Sequence, residues 1–150
     1  MNWQLKSFED LSNKELYQIL QLRAEVFVVE QNCPYQDVDG KDAQATHLWA
    51  TDANGTLMAY CRLLPSGVSY AEPSIGRVAN ALVARGKGLG REMMERAILH
   101  ISQKWAEPAI RISAQCYLEK FYTSLGFATT SEPYLEDDIP HINMLWQKES

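Results

Sequence analysis

The chain has 150 residues, 46% of them hydrophobic and 22% charged, with 14 Lys and Arg against 19 Asp and Glu for a net charge of −5. That length and balance predict one domain, residues 1–150, with a sizeable buried core. The acidic excess argues against a general nucleic-acid binder, and no run is long and apolar enough to span a bilayer, so no membrane partner is expected.

The first residues, MNWQLKSFED, show no basic-then-apolar leader pattern. Trp3, Leu5 and nearby Phe8 predict a short first strand. Ser12-Asn-Lys-Glu15 has the form of a capping box, with Ser at the N-cap and Glu three residues on. Leu16, Ile19, Leu20, Val26 and Phe27 then repeat at helical spacing, predicting a helix from about 12 into the twenties. Pro34, Asp37, Asp39 and Gly40 mark a long loop. Residues 47–51 and 56–64 read as two strands, and Asn54-Gly55 between them is a hairpin signal, because both residues tolerate positive φ. Pro65-Ser-Gly67 breaks the sheet, and 74–80 (SIGRVAN) is the next strand.

After the stretch ARGKGLG, Leu89, Met93, Ala97 and Ile101 line one helical face. Arg91, Glu92, Glu95 and Arg96 line the other, with Glu92 and Arg96 a favourable i,i+4 pair. Ile110, Ile112 and Ala114 alternate at strand spacing. Leu118, Phe121, Tyr122 and Leu125 predict a short helix closed by Gly126. Residues 127–131 and 142–146 read as final strands. The order β-α-β-β-β-α-β-α-β-β implies an α/β (α+β) fold, a mixed sheet packed by helices. Cys33, Cys61 and Cys116 are odd in number and have no CxxC spacing. They read as reduced thiols in a cytoplasmic protein, with no metal expected.

The glycine turn raises the question of function. A turn from a strand into a helix presents free backbone N–H groups at the positive end of the helix dipole, which suits an anion and above all phosphates. Glycines let the backbone approach such a ligand and adopt unusual φ. A turn with purely structural glycines fits the same residues. The Walker form GxxxxGK[ST] is absent, and the spacing is GxGxG rather than the dinucleotide-binding GxGxxG.

Arg85-x-x-Gly88-x-Gly90, following SIGRVAN, resembles the acetyl-CoA signature [Q/R]-x-x-G-x-[G/A] of the GNAT N-acetyltransferases. Gln115-Cys-Tyr-Leu-Glu-Lys-Phe121-Tyr122-Thr-Ser-Leu-Gly126-Phe127 resembles a second motif of that family, N-x-x-A-x-x-F-Y-x-x-x-G-F, one helix and one strand downstream. Gln115 stands where the family often has Asn, and Leu118 where it often has Ala. The stretches VFVVEQ (26–31) and IPHINM (139–144) are similar to the ElaA-like branch.

The resemblance implies a mostly antiparallel sheet whose strands splay apart to form an acyl-CoA cleft. The strand ending in Val78, Ala79 and Asn80 would hold the pantetheine arm, with Gln115 across the cleft. The amides of Gly86, Lys87, Gly88, Leu89, Gly90 and Arg91 would hold the diphosphate, with added charge from Arg85 and Lys87. It further implies that acetyl-CoA is the acyl donor and an amine the acceptor, in a monomer or homodimer. Tyr122 occupies the family's general-acid position. No Glu lies on the strand before the turn, where some relatives keep a base.

An alkyl ammonium with a pKa near 10.4 is a free base to the extent of roughly one part in a few thousand at pH 7, so a base is needed. His141 fits that role, and also that of a hydrogen-bonded strand histidine. Glu30 fits a holder of a cationic substrate, a base acting through water, or a helix-end charge. Asp37, Asp39 and Asp42, like residues 136–138, read as a solvated acidic face or as the lining of a substrate entrance, and His47 as structural. Cys116 lies in no nucleophile motif, which points to direct attack by the amine. The alternatives from other classes are a non-catalytic acyl-CoA-binding or regulatory module and a nucleotide-phosphate binder.

Overall fold

A computed structural model describes residues 1–149, and in it the alternating stretches become eight strands of one sheet and the helical stretches become three α-helices. β1 (Asn2–Ser7), β2 (Thr46–Thr51), β3 (Leu57–Leu64) and β4 (Ser74–Asn80) are successive antiparallel neighbours. β5 (Ala109–Gln115) lies parallel to β4, and β8 (Ile139–Gln147) lies antiparallel to β5. Two short strands, β6 (Phe127–Thr129) and β7 (Tyr134–Glu136), both pair with β8. The sheet is therefore mixed and mostly antiparallel, as the order of elements and the resemblance implied.

α1 (Asn13–Arg23) begins with the expected capping box: the Ser12 hydroxyl accepts from the Glu15 amide at 3.0 Å, and the Glu15 carboxylate accepts from the Ser12 amide at 2.9 Å. α2 (Leu89–Leu99) starts directly from the glycine turn, and α3 (Glu119–Thr123) is short. α1 and α2 each widen into a π-helical turn, Ala24–Glu30 and His100–Lys104, which helical periodicity alone does not announce. The helices cover both faces of the sheet. Leu48, Ala59, Cys61 and Leu63 pack with Met93, Met94 and Ala97 of α2, whereas Trp49 and Tyr60 pack with Ile19 and Leu22 of α1. Consecutive residues of β2 and β3 thus serve opposite cores, and both strands read as near-continuous apolar runs.

The β2–β3 hairpin forms as expected, but only Gly55 takes positive φ, +80°. The Asp52 carboxylate accepts from the amides of Asn54 and Thr56, both at 2.9 Å. Sequence reading missed β7 and began β8 three residues late. Asp137 and Asp138 form the two-residue connection between these strands, at φ +50° and +62°, a primed hairpin turn built without asparagine or glycine.

The long loop corrects a second expectation. Asp37 and Asp42 are buried rather than part of a solvated face. Arg23, fully buried on α1, donates to Asp37 at 2.8 Å and to Asp42 at 2.7 Å. Arg62 of β3 donates to Asp39 at 2.8 Å and to Asp42 at 3.1 Å. His47 completes the cluster from β2, between the Tyr60 hydroxyl at 2.7 Å and the Asp42 carbonyl at 3.0 Å, and is structural as read. This network fixes residues 37–42 against the sheet, beside the ends of β3 and β4.

Two irregularities of β4 shape the centre of the molecule. Tyr60 lies opposite Ala79 and Arg62 opposite Gly76, so Arg77 and Val78 together face Cys61. This is a bulge, and Arg77 sits at φ +50°. Before it, at the start of β4, β4 and β5 share a single register pair, Ser74 with Arg111, and then part.

Candidate active site

The parting strands enclose a cleft of about 500 Å³. Val78 lines it from β4, Ser113 and Gln115 from β5, Tyr122 from α3, Glu136 from β7 and His141 from β8. The bulge takes Val78 out of the regular β3–β4 ladder. Val78, Gln115, Tyr122 and His141, named from the sequence, all line this one cleft. Ala79 points elsewhere, into the core against α1.

The glycine turn follows the end of β4 and lies outside the cleft lining itself, with Gly90 beside Asn80. Gly86 and Gly88 take φ +79° and +76°, where a side chain is strained, and a Cβ added to either would meet nothing within 4 Å. Gly90 serves a different need: a Cβ there would come within 3.2 Å of Asn80 Nδ2. Two glycines thus bend the backbone and the third lets the helix start approach the end of β4. Among the described residues, no amide of residues 86–91 donates a hydrogen bond to another protein group. Six consecutive free donors at the start of an 11-residue helix make a cradle for an anion. The side chains of this turn divide: Leu89 is buried in the core, Lys87 is exposed, and Arg91 lies over the Phe121 ring at 5.6 Å and donates to Ser124.

Arg85 and Glu30 form a two-pronged ion pair, both contacts at 2.7 Å. The same guanidinium donates to the Asn80 carbonyl at 3.2 Å. The hydrogen bond from Arg85 holds the Glu30 carboxyl below the usual carboxylate range, and donating it to Glu30 holds Arg85 above its own. Glu30 therefore neighbours the glycine turn, and the structure does not bring it into the cleft lining with Tyr122 and His141.

Tyr122 is buried, with its ring edge-on to Phe121 at 5.1 Å and to Phe127 at 5.9 Å. Burial pushes its phenol well above the ordinary value, so it stays protonated at any physiological pH. His141 lies opposite Gln115 in the β5–β8 ladder. Its Nδ1 is 2.7 Å from the Ile139 carbonyl, which can only accept, so Nδ1 carries a hydrogen and Nε2 faces the cleft side chains. Tyr134 stacks on the imidazole at 6.3 Å, and Glu136 Oε2 is 3.4 Å from Nε2. Sequence reading overlooked Ser113 and Tyr134 and left Glu136 open between a solvated face and the lining of a substrate entrance; the structure puts it in the cleft lining. The signal for all three was weak, because it depends on a three-residue strand that carries no hydrophobic pattern of its own.

Among the described residues, no helix is long and apolar enough to cross a membrane, and no group of three His, Cys, Asp or Glu side chains is placed to hold a metal ion. Comparison with known proteins finds that residues 8–148 match the model of the acetyltransferase (GNAT) domain. Protein ElaA of Escherichia coli is 40% identical over 148 residues, spanning 96% of this chain and 95% of its own. The crystal structure of Escherichia coli ElaA superposes with a TM-score of 0.91 over 98% of this chain and 100% of that one. An acyl-CoA N-acyltransferase from Pseudomonas aeruginosa superposes equally well, with a TM-score of 0.91 and 46% identity over 97% of this chain and 99% of that one.

Proposed function

The chain belongs to the GNAT acetyltransferase family, and from that membership we propose that it transfers an acetyl group from acetyl-CoA to a primary amine by direct attack, releasing CoA. The observation that carries this reading is the parting of β4 and β5 around a cleft with a phenol and an imidazole in its walls, together with the free amides of the turn that follows β4. The similarity to an acyl-CoA N-acyltransferase supports the choice of donor.

In this reading the amides of residues 86–91 hold the diphosphate, and the pantetheine lies along Val78 and Asn80 opposite Gln115. The Asn80 carbonyl already accepts from Arg85 and has a second lone pair for the pantetheine. His141 Nε2 removes one proton from the acceptor ammonium, and the freed lone pair forms the new C–N bond. The Val78 amide, within the bulge, stabilises charge on the carbonyl oxygen in this reading. As the C–S bond breaks, Tyr122 gives its proton to the leaving thiolate. The second amine proton restores Tyr122, and His141 returns its proton to solvent.

The direct test measures CoA binding by calorimetry and thiol release across a panel of primary amines. Binding with turnover supports an enzyme. Binding without turnover on any amine leaves a non-catalytic CoA module, and ATP or NAD binding with no preference for CoA removes the reading altogether.

Two substitutions test the cofactor end. Gly88→Val puts a branched side chain at a left-handed position and into the space over the free amides, where a diphosphate would lie. CoA affinity is expected to fall at least ~10-fold, about 1.4 kcal/mol, in a protein whose circular dichroism is unchanged. Equal affinity would place the diphosphate elsewhere.

Glu30→Gln removes the partner of Arg85. Exposed ion pairs contribute up to about 1 kcal/mol, so freeing Arg85 for the cofactor should strengthen CoA binding about two- to fivefold. The acceptor KM should barely move. A raised acceptor KM with unaltered CoA affinity would return Glu30 to the acceptor side.

A further inference from the structure

Two carboxylates that line the cleft, Glu136 and Asp137, have no lysine or arginine partner among the described residues, and Glu136 is the one beside His141. Asp37, Asp39 and Asp42 are matched by Arg23, Arg62 and Arg77, with Arg77 Nε 2.9 Å from Asp37 and its Nη2 3.2 Å from Asp39. Glu72 is matched by Arg111 at 2.9 Å. Lys41 donates to Ser69 at 2.7 Å. Glu136, by contrast, has no lysine or arginine within 4.0 Å among the described residues. It accepts a weak bond from Ser113 at 3.3 Å, and its side chain is half exposed toward the cleft.

Its other neighbour is unusual. With Nδ1–H donated to the Ile139 carbonyl, a neutral His141 presents a lone pair at Nε2. That lone pair faces a carboxylate oxygen 3.4 Å away. In that tautomer two acceptors stand opposite each other. A cation with several N–H donors satisfies both groups and also balances the carboxylate charge, which has no lysine or arginine partner among the described residues. An alkyl ammonium has three N–H donors and fits that description.

We propose that Glu136 and His141 together form the ammonium-binding site of the acceptor. The assignment of this site to the acceptor rests on the transfer reading above. Glu136 Oε2 and His141 Nε2 each take one N–H of the ammonium. The stacked ring of Tyr134, whose hydroxyl is bonded to Ser113, walls the slot on one side. The proton that leaves the ammonium for Nε2 does so beside a carboxylate, which stabilises the imidazolium formed. Glu136 is thus a substrate-binding residue that determines specificity: it favours amines presented as cations and disfavours acceptors with a carboxylate next to the amine.

The test is an NMR titration of the full-length protein, histidine-labelled with ¹⁵N, with butylammonium chloride as the probe. Sodium chloride at equal ionic strength and butan-1-ol are the controls. The His141 imidazole resonances should move saturably with butylammonium and with neither control, while those of His47 and His100 stay in place. Glu136→Gln should weaken this binding at least fivefold, and Glu136→Asp should recover part of it. If butylamine is also turned over, Glu136→Gln should raise its KM far more than it lowers kcat. Absence of a saturable shift at His141, an equal response to butan-1-ol, or undiminished binding in Glu136→Gln overturns the proposal. Saturable binding to His141 without CoA release on any amine upholds the ammonium site and removes the transfer reading, so the two failures are distinct.

Discussion

Tyr122→Phe should lower kcat for acetyl transfer about 100-fold while leaving CoA affinity within about twofold. The substitution keeps the ring that packs edge-on against Phe121 and Phe127 and deletes one hydroxyl. Burial pushes the phenol upward, so at working pH the group always holds the proton it is asked to give. A thiol has a pKa of about 8.5, so the leaving thiolate gains from that proton even though a buried phenol is a weak acid. The measurement is single-turnover chemistry with saturating acetyl-CoA, which isolates acyl transfer from product release. An unchanged rate would make Tyr122 a core aromatic and nothing more.

Asp42→Asn should destabilise the fold by about 3–5 kcal/mol, the range for removing one partner of a buried ion pair. Asp42 accepts from Arg23 and Arg62, and both guanidinium groups stay buried after the substitution. At roughly 2–4 °C per kcal/mol for a chain of this size, Tm should fall by on the order of 10 °C. The same carboxylate makes stability depend on pH. Burial alone pushes Asp42 up, but the hydrogen bond from Arg23 and the charges of Arg23 and Arg62 outweigh it and hold the group below the usual range. A depressed folded value contributes stability above the unfolded pKa of about 4, and that contribution is lost as pH falls through the folded value. The native protein should therefore lose stability steeply below about pH 4, and Asp42→Asn less steeply. Denaturant midpoints at several pH values check this. Parallel curves would mean that other carboxylates govern acid unfolding.

What the sequence made legible was local. ARGKGLG sets its own backbone, because Gly86 and Gly88 can take positive φ and Gly90 has no Cβ to strike Asn80. The FYTSLGF stretch likewise fixes a short helix ended by Gly126 at φ +102°. What stayed hidden was set by partners far along the chain. Glu30 reads as the end of an apolar run, and its partner Arg85 lies 55 residues on. Asp37 and Asp42 read as a solvated loop because nothing local shows that Arg23, itself an ordinary helix residue by pattern, is buried against them. Glu136 is one of three acids that fit a solvated face or a substrate entrance equally, and only the two-residue turn that folds it back beside His141 distinguishes it.

The most direct measurement follows the acyl group itself. Purified protein is incubated with acetyl-CoA labelled with ¹³C in the acetyl group and with butylamine, and the products are read by mass spectrometry. The label should appear as N-acetylbutylamine, in equal amount to the free CoA formed, and the yield should fall about 100-fold in Tyr122→Phe at matched early times. Label recovered only as acetate or on the protein, or no CoA release with butylamine or any other primary amine, would contradict direct transfer to an amine in this cleft.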